Sequence, residues 1–373
     1  MEEQFKTPGQ LVEALLKERG WTNRILAHVI DTDESGVQRI VSDKRSMDGD
    51  LALVLGEVFS VAPEWFMDLQ KSYELAKARI KSRPDPTRAT RATVFGSLPV
   101  GEMIRRGWIR AKDIKDEAVE PELVRFFGSN RVDDIEALPH AAKKTIVNVE
   151  ATPLQLAWLY RVRQIAKELL VSKYTQQSGE AVIPKLKQLL LSAEEVRKVP
   201  RILAEAGIRF LIVESLPNAK IDGVCFWLGR SPVIAMTMRF DRIDNFWFVL
   251  RHELEHVLRG HGKDRTMLDA DLDSSNGIGP VEDEERVANE AAADFCVPQK
   301  MMKQFVDRKA PFFHDRDILA FSKMINVHPG LIAGQIRRFM NEYHRFGNYL
   351  VKVRSSVLPN AVVDGWGSVY PVE

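Results

Sequence analysis

Two histidines and an acid stand at helical spacing in the segment FWFVLRHELEHVLRGH, residues 246–261. Residues four apart on an α-helix are separated by about 40° around its axis, so His252 and His256 lie on one face, one turn apart. Two imidazoles in this arrangement can bind one metal ion. Glu253 points about 100° away from His252, which puts its carboxylate beside the open side of the metal, the position of a general base.

The pattern H-E-x-x-H is rare by chance. With 8 His in 373 residues, it is expected only about 0.01 times per chain. We therefore predict a zinc site, and a hydrolase in which Glu253 is the catalytic base. Two other interpretations stay open: a helix whose histidines pack against neighbouring side chains, and a site that keeps its metal ligands without activity.

A metal held by two histidines needs at least one further protein ligand and an open position for water. His261 lies five residues after His256, whereas the extended motif H-E-x-x-H-x-x-G-x-x-H places its third His six residues on, so this option fails on register. The acid-rich segment KDRTMLDADLDSS, 263–275, has the length and polarity of a solvated loop. The third option is a glutamate within VEDEERVANEAAADFCVP, 281–298, whose alanine-rich face can pack closely on the histidine helix.

The elements that position the histidine helix change from helical to strand-like patterns just before it. Three strands are predicted, at RFLIVE (209–214), GVCFWLG (223–229) and VIAMTMRF (233–240). The last two form a hairpin, and we expect Val233–Met238 to be an edge strand that binds a substrate backbone by β-augmentation. After the segment INVHPGLIAGQIRRF, the residues NYLVKVRSSV, 348–357, are expected to add a further strand.

The amino-terminal residues 7–83 show apolar spacing typical of short helices. Five are predicted, at 8–19, 21–30, 34–42, 51–59 and 63–80. The third has Val37, Ile40 and Val41 on its inner face. Its outward side chains are Ser35, Gln38 and Arg39. This arrangement predicts a helix-turn-helix.

The charge of this amino-terminal segment argues against strong DNA binding. Residues 1–83 contain 12 Lys and Arg against 14 Asp and Glu, a formal charge of −2. Asp33 and Glu34 stand where phosphates would repel a carboxylate. A small helical bundle used for protein contact or dimerisation, including a homodimer, is therefore the alternative to a DNA-binding head.

The rest of the chain provides fewer functional signals. Residues 81–93, KSRPDPTRATRAT, are typical of an exposed hinge, and 95–192 are expected to be mainly helical with no chemistry of their own. We expect Trp158 and Tyr160 to belong to the core, and His140 to lie at the surface or cap a helix.

The composition is that of an ordinary globular protein with several domains. The formal charge of +1 gives no overall preference for nucleic acid or membrane. The sequence contains no span of about 18 to 20 apolar residues and no signal peptide, so we expect a cytoplasmic protein without a membrane partner. Cys225 and Cys296 are expected to be free thiols.

The amino-terminal segment resembles the phage-repressor-like helix-turn-helix domain of HigA-type antitoxins. The pieces that carry the resemblance are PGQLVEALLKERGW, RILAHVI, RIVSDKRSMDGDLALVLGEVF and PEWFMDLQKSYEL. The resemblance implies that the third helix enters the major groove of an operator. Ser35, Gln38 and Arg39 would then lie near base edges, and Lys44 and Arg45 on phosphates.

Nearly the whole chain resembles the ImmA/IrrE-like metallopeptidase family, in the branch fused to a HigA-type head. The most specific segments are DGVCFWLGRSPVIAMTMRFDRIDNFWFVLRHELEHVLRGH, EERVANEAAADFCVP and INVHPGLIAGQIRRF. In this family the Glu of an E-x-x-A-N-x-x-A-A motif is the third ligand, and the resemblance gives that role to Glu285. Asn289, one turn on, is expected to orient a ligand histidine. For the neighbouring acids, capping or solvation is expected: Glu282, Asp283, Glu284 and Glu290.

One residue departs from the family pattern. Glu255 stands where relatives usually carry Gly. It occupies an x position of the motif, so it need not disturb ligation, but it adds negative charge close to the site.

Taken together, these features predict an α+β multidomain protein. The expected segments are a helix-turn-helix domain at 1–83, a linker and helical middle region at 84–195, a zincin-like metallopeptidase domain at 196–340 and an extension at 341–373. The predicted function is a Zn²⁺-dependent intracellular peptidase with a DNA-binding regulatory head, which cleaves or antagonises a regulatory protein. The alternative is a DNA-binding regulator or antitoxin whose zincin domain only senses metal or binds a partner toxin.

Overall fold

A computed structural model describes residues 5–82, 98–130, 151–263, 266–270 and 283–370, and the single residues 88, 92, 95, 96 and 135. The chain divides into two compact units, residues 1–88 and 89–373. Its class is mixed α+β, with mostly helical elements and one five-stranded sheet. Among the described residues, no helix has both the length and the apolar character needed to cross a membrane.

The first unit consists of five helices, as the sequence predicts. They are α1 Pro8–Glu18, α2 Asn23–Val29, α3 Glu34–Val41, α4 Gly49–Phe59 and α5 Pro63–Lys81. The side chain of Thr22 caps α2 by accepting a hydrogen bond from the backbone N–H of Ile25. Gly20, just beyond α1, has φ +66°, in the left-handed region that glycine adopts without strain. Local capping signals thus set where these helices begin and end.

The second unit surrounds its sheet with helices and short 3₁₀ turns. The helices are α6 Val100–Arg105, α7 Val119–Phe127, α8 Pro153–Glu168, α9 Gln176–Glu180, α10 Val182–Lys187, α11 Val199–Glu205, α12 Ile243–Arg259, α13 Asp283–Cys296, α14 Gln299–Lys309, α15 Asp315–Ile325, α16 Pro329–Met340 and α17 Arg354–Val357. The 3₁₀ turns are Ala193–Lys198, Gly347–Tyr349 and Leu358–Asn360. The predicted helical character of the middle region is confirmed for its described part. Most of the predicted hinge at 81–93, and His140, lie outside the described residues.

The sheet is mixed, with the strand order β4-β2-β3-β1-β5. Its strands are β1 Arg209–Val213, β2 Ile221–Leu228, β3 Ser231–Met236, β4 Met267–Ala270 and β5 Val362–Asp364. β2 and β3 form the predicted antiparallel hairpin, and β4 pairs antiparallel with β2. β1 runs parallel to both β3 and β5. The three predicted strands and the hairpin before α12 are confirmed.

The expectation that Val233–Met238 is an edge strand is wrong. β3 pairs with β2 on one side and with β1 on the other, so its backbone groups are already used on both sides. Among the described residues, the outer strands are β4 and β5. The error arises because the order of strands along the chain reveals the β2–β3 hairpin but not that β1, which precedes it, pairs with the other side of β3.

The strand predicted at 348–357 is also wrong. A 3₁₀ turn and α17 occupy much of this segment, and the carboxy-terminal strand is β5, which follows it. The side chain of Asp241 accepts hydrogen bonds from the backbone N–H groups of Val353 and Arg354, at 2.9 and 2.8 Å. The carbonyl of Val351 accepts from the N–H of Ile243 at 3.0 Å. Contacts with the start of α12 therefore replace the strand ladder.

Both faces of the sheet are buried. On one face, Phe246 and Trp247 of α12 share a buried cluster with Ile234 and Met236 of β3. On the other face, α8 packs on the sheet through residues that include the fully buried Trp158. Burial on both faces explains why the strands are almost continuously apolar. Trp158 is confirmed as a core residue, and the middle region shares its core with the sheet.

A buried ion pair joins α8 to the carboxy-terminal strand. The side chains of Arg161 and Asp364 are 3% and 1% exposed and form a salt bridge. Nε1 of Trp108 donates to Oδ2 of Asp364 at 3.1 Å, and Nη2 of Arg161 donates to the carbonyl of Tyr370 at 2.7 Å. Burial raises the pKa of the Asp364 carboxyl, an effect that the charge of Arg161 opposes. This network holds β5 against α8.

Removing the carboxylate of this pair is expected to destabilise the fold strongly. Asp364→Ala leaves the guanidinium of Arg161 buried without its counter-ion, so the free energy of unfolding should fall by about 3–5 kcal/mol. Urea denaturation of the full chain measures this loss. The matched control is Glu205→Ala, which breaks an exposed pair with Arg201 whose side chains are 52% and 86% exposed. The control should change stability by less than about 1 kcal/mol, and equal losses in the two variants would contradict the prediction.

Candidate metal centre

The two histidines of the motif converge on one point from α12. Both side chains are fully buried, at 0% exposure. The Nε2 atoms of His252 and His256 lie 3.1 Å apart, and their rings meet edge to face with centroids 4.8 Å apart. α12 ends at Arg259, and the φ of +74° at the next residue, Gly260, turns the chain out of the helix. The helical spacing therefore places two nitrogen donors side by side in the interior.

A carboxylate from α13 completes a group of three donors. Oε2 of Glu285 lies 3.3 Å from Nε2 of His252, and Oε1 lies 3.6 Å from Nε2 of His256. α13 packs against α12. Ala288 and Ala292 are fully buried small residues of α13. Small side chains let helix backbones approach closely, which brings the carboxylate within reach of both imidazoles.

The distances and donor types of this group fit a zinc ion. Two ligands at about 2.0–2.1 Å from a tetrahedral ion lie about 3.3 Å from each other. The separations of 3.1, 3.3 and 3.6 Å between the donor atoms of His252, His256 and Glu285 are close to that value. All three side chains offer a donor atom within 4.8 Å of the other two. Two imidazoles and one carboxylate are also the donor set of several catalytic zinc sites.

The electrostatics keep Glu285 in its ligating form. Burial alone would raise the pKa of this carboxyl. Hydrogen bonds and charge from His252 and His256 outweigh the burial and hold its pKa well below the ordinary value. The side chain is therefore an anion at neutral pH, as metal ligation requires.

Each of the two histidines has a hydrogen-bond partner at Nδ1, the outer ring nitrogen, which does not belong to the group of converging donors. Nδ1 of His252 lies 3.2 Å from Oδ1 of Asn289, and Nδ1 of His256 lies 3.0 Å from Nδ1 of His261. An acceptor at Nδ1 favours the tautomer whose Nε2 lone pair is free to bind a metal. The sequence assigned such a place to Asn289 but considered His261 only as a ligand. Gly260 and Gly262, both at positive φ, flank His261 and allow the chain to turn back towards α12.

The carboxylate of Glu253 lies against a glycine of the sheet. Glu253 is fully buried, and a Cβ atom added at Gly223 of β2 would lie 2.8 Å from its Cδ. No side chain larger than hydrogen fits there without displacing the carboxylate. Gly223 was not among the residues predicted from the sequence, although a glycine inside an apolar strand often marks the close approach of another group.

Glu255 is balanced by two arginines of its own helix. Its carboxylate accepts from Nη2 of Arg251 at 2.7 Å and from Nε of Arg259 at 2.8 Å. Burial would raise the pKa of Glu255, but these hydrogen bonds and charges lower it below its usual range. The negative charge that the sequence places close to the site is therefore compensated locally.

The other acids near the motif have separate surroundings. Arg286 pairs with Asp283 at 3.3 Å and with Glu290 at 2.9 Å, both on the exposed side of α13. Oε1 of Glu284 lies 4.0 Å from Nε2 of His261. Glu282 lies outside the described residues, as do 264, 265 and 271–275 of the acidic segment. The expectation that 263–275 is a solvated loop is wrong for 267–270, which form β4 with Met267 and Leu268 buried, because these two apolar residues pair into the sheet beside β2.

No protein-family model, no curated protein and no solved structure matches this chain. The resemblance to ImmA/IrrE-like metallopeptidases and to HigA-type antitoxins therefore stays a prediction.

The side chains predicted to contact DNA are all exposed in the first unit. They are Ser35, Gln38, Arg39, Lys44 and Arg45. The inner face of α3 is packed, with Val37 and Ile40 buried and Val41 partly buried against the same core. Two of the polar side chains have neighbours of their own: Oγ of Ser35 donates to Asp33 at 2.9 Å, and Nδ2 of Asn23 donates to Oε1 of Gln38 at 2.8 Å.

Asp33 has a structural role at the start of α3. Its carboxylate accepts from the backbone N–H of Gly36 and caps the helix. This hydrogen bond is the largest cause that lowers the pKa of Asp33 below its usual value, followed by the bond from Ser35. The acid that the sequence set against phosphate binding is therefore a helix cap.

Proposed function

We propose that the second unit is a zinc-dependent peptidase and that the first unit is its DNA-binding head. The observation that carries the proposal is the convergence of two Nε2 atoms and one carboxylate from α12 and α13. Glu253, the residue after His252 on α12, is buried with its carboxylate against Gly223 of β2. His252, His256 and Glu285 would hold the ion. When bound, zinc supplies a Lewis acid that makes water nucleophilic near neutral pH.

The chain's own residues carry the proton transfers of peptide hydrolysis. Glu253 accepts a proton from the attacking water as the oxygen bonds to the peptide carbonyl carbon, and it gives that proton to the leaving amine as the C–N bond breaks. One water is consumed, and one carboxylic acid and one amine are formed. Asn289 and His261 fix the ligand histidines through their outer nitrogens.

The sheet offers a place for the substrate backbone at β4. Among the described residues, this strand pairs with β2 alone, and the backbone of its Asp269 is in register with Gly223, the residue beside Glu253. An extended peptide added to an outer strand is held by main-chain hydrogen bonds that do not depend on side-chain identity. We therefore give β4 the substrate-binding role that the sequence analysis expected of β3. The family resemblance implies that the substrate is a regulatory protein.

Zinc binding tests the first half of the proposal. The purified chain is expected to contain about one zinc per molecule by elemental mass spectrometry, and a chelator should remove the zinc together with peptide cleavage. His344→Ala, which removes an exposed histidine, is the matched control and should keep the full zinc content. A wild-type protein that binds no zinc at micromolar free metal would contradict the proposal.

DNA binding tests the second half. The double variant Arg39→Ala/Lys44→Ala is expected to weaken binding to operator DNA from the chain's own promoter region. Because each phosphate contact contributes about −0.9 to the slope of log K against log salt, and Lys44 is the predicted phosphate contact of this pair, the slope should become shallower by about 1. Fluorescence anisotropy over a salt series measures it, with Lys71→Ala and Lys77→Ala on α5 as control. If the wild type shows no binding to this DNA, the bundle is a protein-contact or dimerisation module.

A further inference from the structure

A cleft of about 700 Å³ opens between α12, α13 and α16. Its apolar lining includes Phe248, Ala293 and Leu331, and its polar lining includes Asn289, Gln335 and Arg338. This volume is within the range of pockets that enclose a ligand of several hundred daltons. The cleft is therefore large enough for a few residues of a peptide.

The cleft adjoins the candidate metal centre. Asn289 lines the cleft and also lies 3.2 Å from Nδ1 of His252. Phe248 stands one helical turn before His252, and the two rings are stacked with an interplanar angle of 29° and centroids 6.3 Å apart. An occupant of the cleft would consequently sit beside the ligand histidine.

The cleft has a cation available for a ligand. The guanidinium of Arg338 lies over the ring of Phe248, 5.5 Å from its centroid, and the side chain is exposed. Within the part of the chain that the structure describes, Arg338 forms no ion pair. Stacking on an aromatic ring leaves the donors at the edge of a guanidinium free to bind a carboxylate in a bidentate manner.

The acids that line the cleft have partners already. Asp244 pairs with Arg242 at 3.0 Å, and Glu290 pairs with Arg286 at 2.9 Å. Asp294 accepts from the backbone N–H of Gln299, at the start of α14, at 2.9 Å. Asp294 keeps its negative charge, and Arg338 is the lining cation without a carboxylate partner among the described residues, so a ligand carboxylate would pair with Arg338.

We propose that this cleft is a substrate subsite that selects an aspartate or glutamate close to the cleaved bond. The carboxylate of that residue pairs with Arg338, and an adjoining apolar side chain packs on Phe248 and Leu331. The inference rests on the proposed peptidase function and adds its substrate class, which is an acidic segment of a protein. A charge-assisted pair of this kind corresponds to about a tenfold preference.

A charge reversal tests the subsite. The zinc-loaded wild type and the Arg338→Glu variant are incubated with one mixture of peptides of varied sequence, and the residues around each cleaved bond are read by mass spectrometry. The wild type should favour acidic residues at one position by about tenfold, and Arg338→Glu should shift that preference to Lys and Arg. Lys323→Glu makes the same charge change at an exposed site of α15 and should keep the wild-type preference. Zinc content and circular dichroism identify any misfolded variant.

The outcomes separate the subsite from the peptidase. If the zinc-loaded wild type cleaves none of the peptides, the proposed function is overturned and the subsite with it. If the wild type cleaves peptides without an acidic preference, or if Arg338→Glu leaves that preference unchanged, only the subsite is overturned. Binding of an acidic fluorescent peptide to Glu253→Gln protein, with and without Arg338→Glu, gives a readout independent of catalysis. A fall in affinity of about tenfold is expected, and equal affinity would overturn the subsite.

Discussion

Replacing Glu253 with glutamine is expected to lower the rate of peptide cleavage by about 10²- to 10⁴-fold and to leave zinc binding intact. The amide has the size of the carboxylate, so it fits the same fully buried space beside Gly223. It has no basic oxygen that can accept a proton from the attacking water. The ratio kcat/KM on a cleavable peptide, together with zinc per chain by elemental mass spectrometry, measures both effects.

A matched control separates the loss of the base from a general effect of glutamine. Glu205→Gln makes the same chemical change on an exposed side chain of α11 and should retain the wild-type rate. If Glu253→Gln lost zinc along with activity, the carboxylate would be holding the metal centre together instead of moving protons. Cleavage that survives the change would rule out Glu253 as the base.

The parts of the site that the sequence predicts are those that one helix fixes. His252, Glu253 and His256 belong to α12, so their relative directions follow from 3.6 residues per turn. The third donor belongs to another helix, and spacing excluded His261 but left two segments for it, 263–275 and 281–298. Only the resemblance selected Glu285, the residue that the structure places within 3.3 and 3.6 Å of the two histidines.

The same distinction applies to the first unit. All five helices were predicted within a few residues, because caps such as Thr22 and the terminal Gly20 are read from neighbouring positions. Asp33 carries two local signals: its charge counts against DNA binding, which stays a prediction, and its position before α3 is that of a helix cap, a role that the structure shows.

What the sequence did not predict depends on contacts between distant segments. β3 lies inside the sheet because it pairs with β2 on one side and with β1 on the other. β2 separates β1 from β3 along the chain, so this pairing cannot be read from neighbouring segments. The segment 348–357 has strand-like composition, yet Asp241 binds two of its backbone N–H groups and the ladder does not form. The positions of two further residues also depend on distant contacts. His261 lies in the turn after α12, and Gly223 belongs to β2, which packs on α12. Periodicity describes one element at a time and contains no information on such pairings.

The glycine of β2 provides the second large effect. Gly223→Ala is expected to lower kcat/KM for peptide cleavage by about 100-fold or more while zinc content stays near the wild-type value. A methyl group at this position would lie 2.8 Å from Cδ of Glu253, which is closer than two carbon atoms can approach. The three proposed metal ligands lie on α12 and α13, whereas the clash falls on the proposed general base. A displacement of the base by about 1 Å is enough to cost two orders of magnitude in rate.

The control for this variant is Gly101→Ala, because a Cβ atom at Gly101 would meet nothing within 4 Å. It should leave cleavage unchanged. Urea unfolding identifies a Gly223→Ala protein that has merely lost stability, since a displaced base lowers the rate in a chain that is still folded and loaded with zinc. The pH dependence of kcat/KM adds an independent readout, because a general base moved to a new environment titrates at a different pH. A folded, zinc-loaded Gly223→Ala protein with the wild-type rate and pH profile would show that Glu253 has room to act elsewhere, and its position beside β2 would then have no part in catalysis.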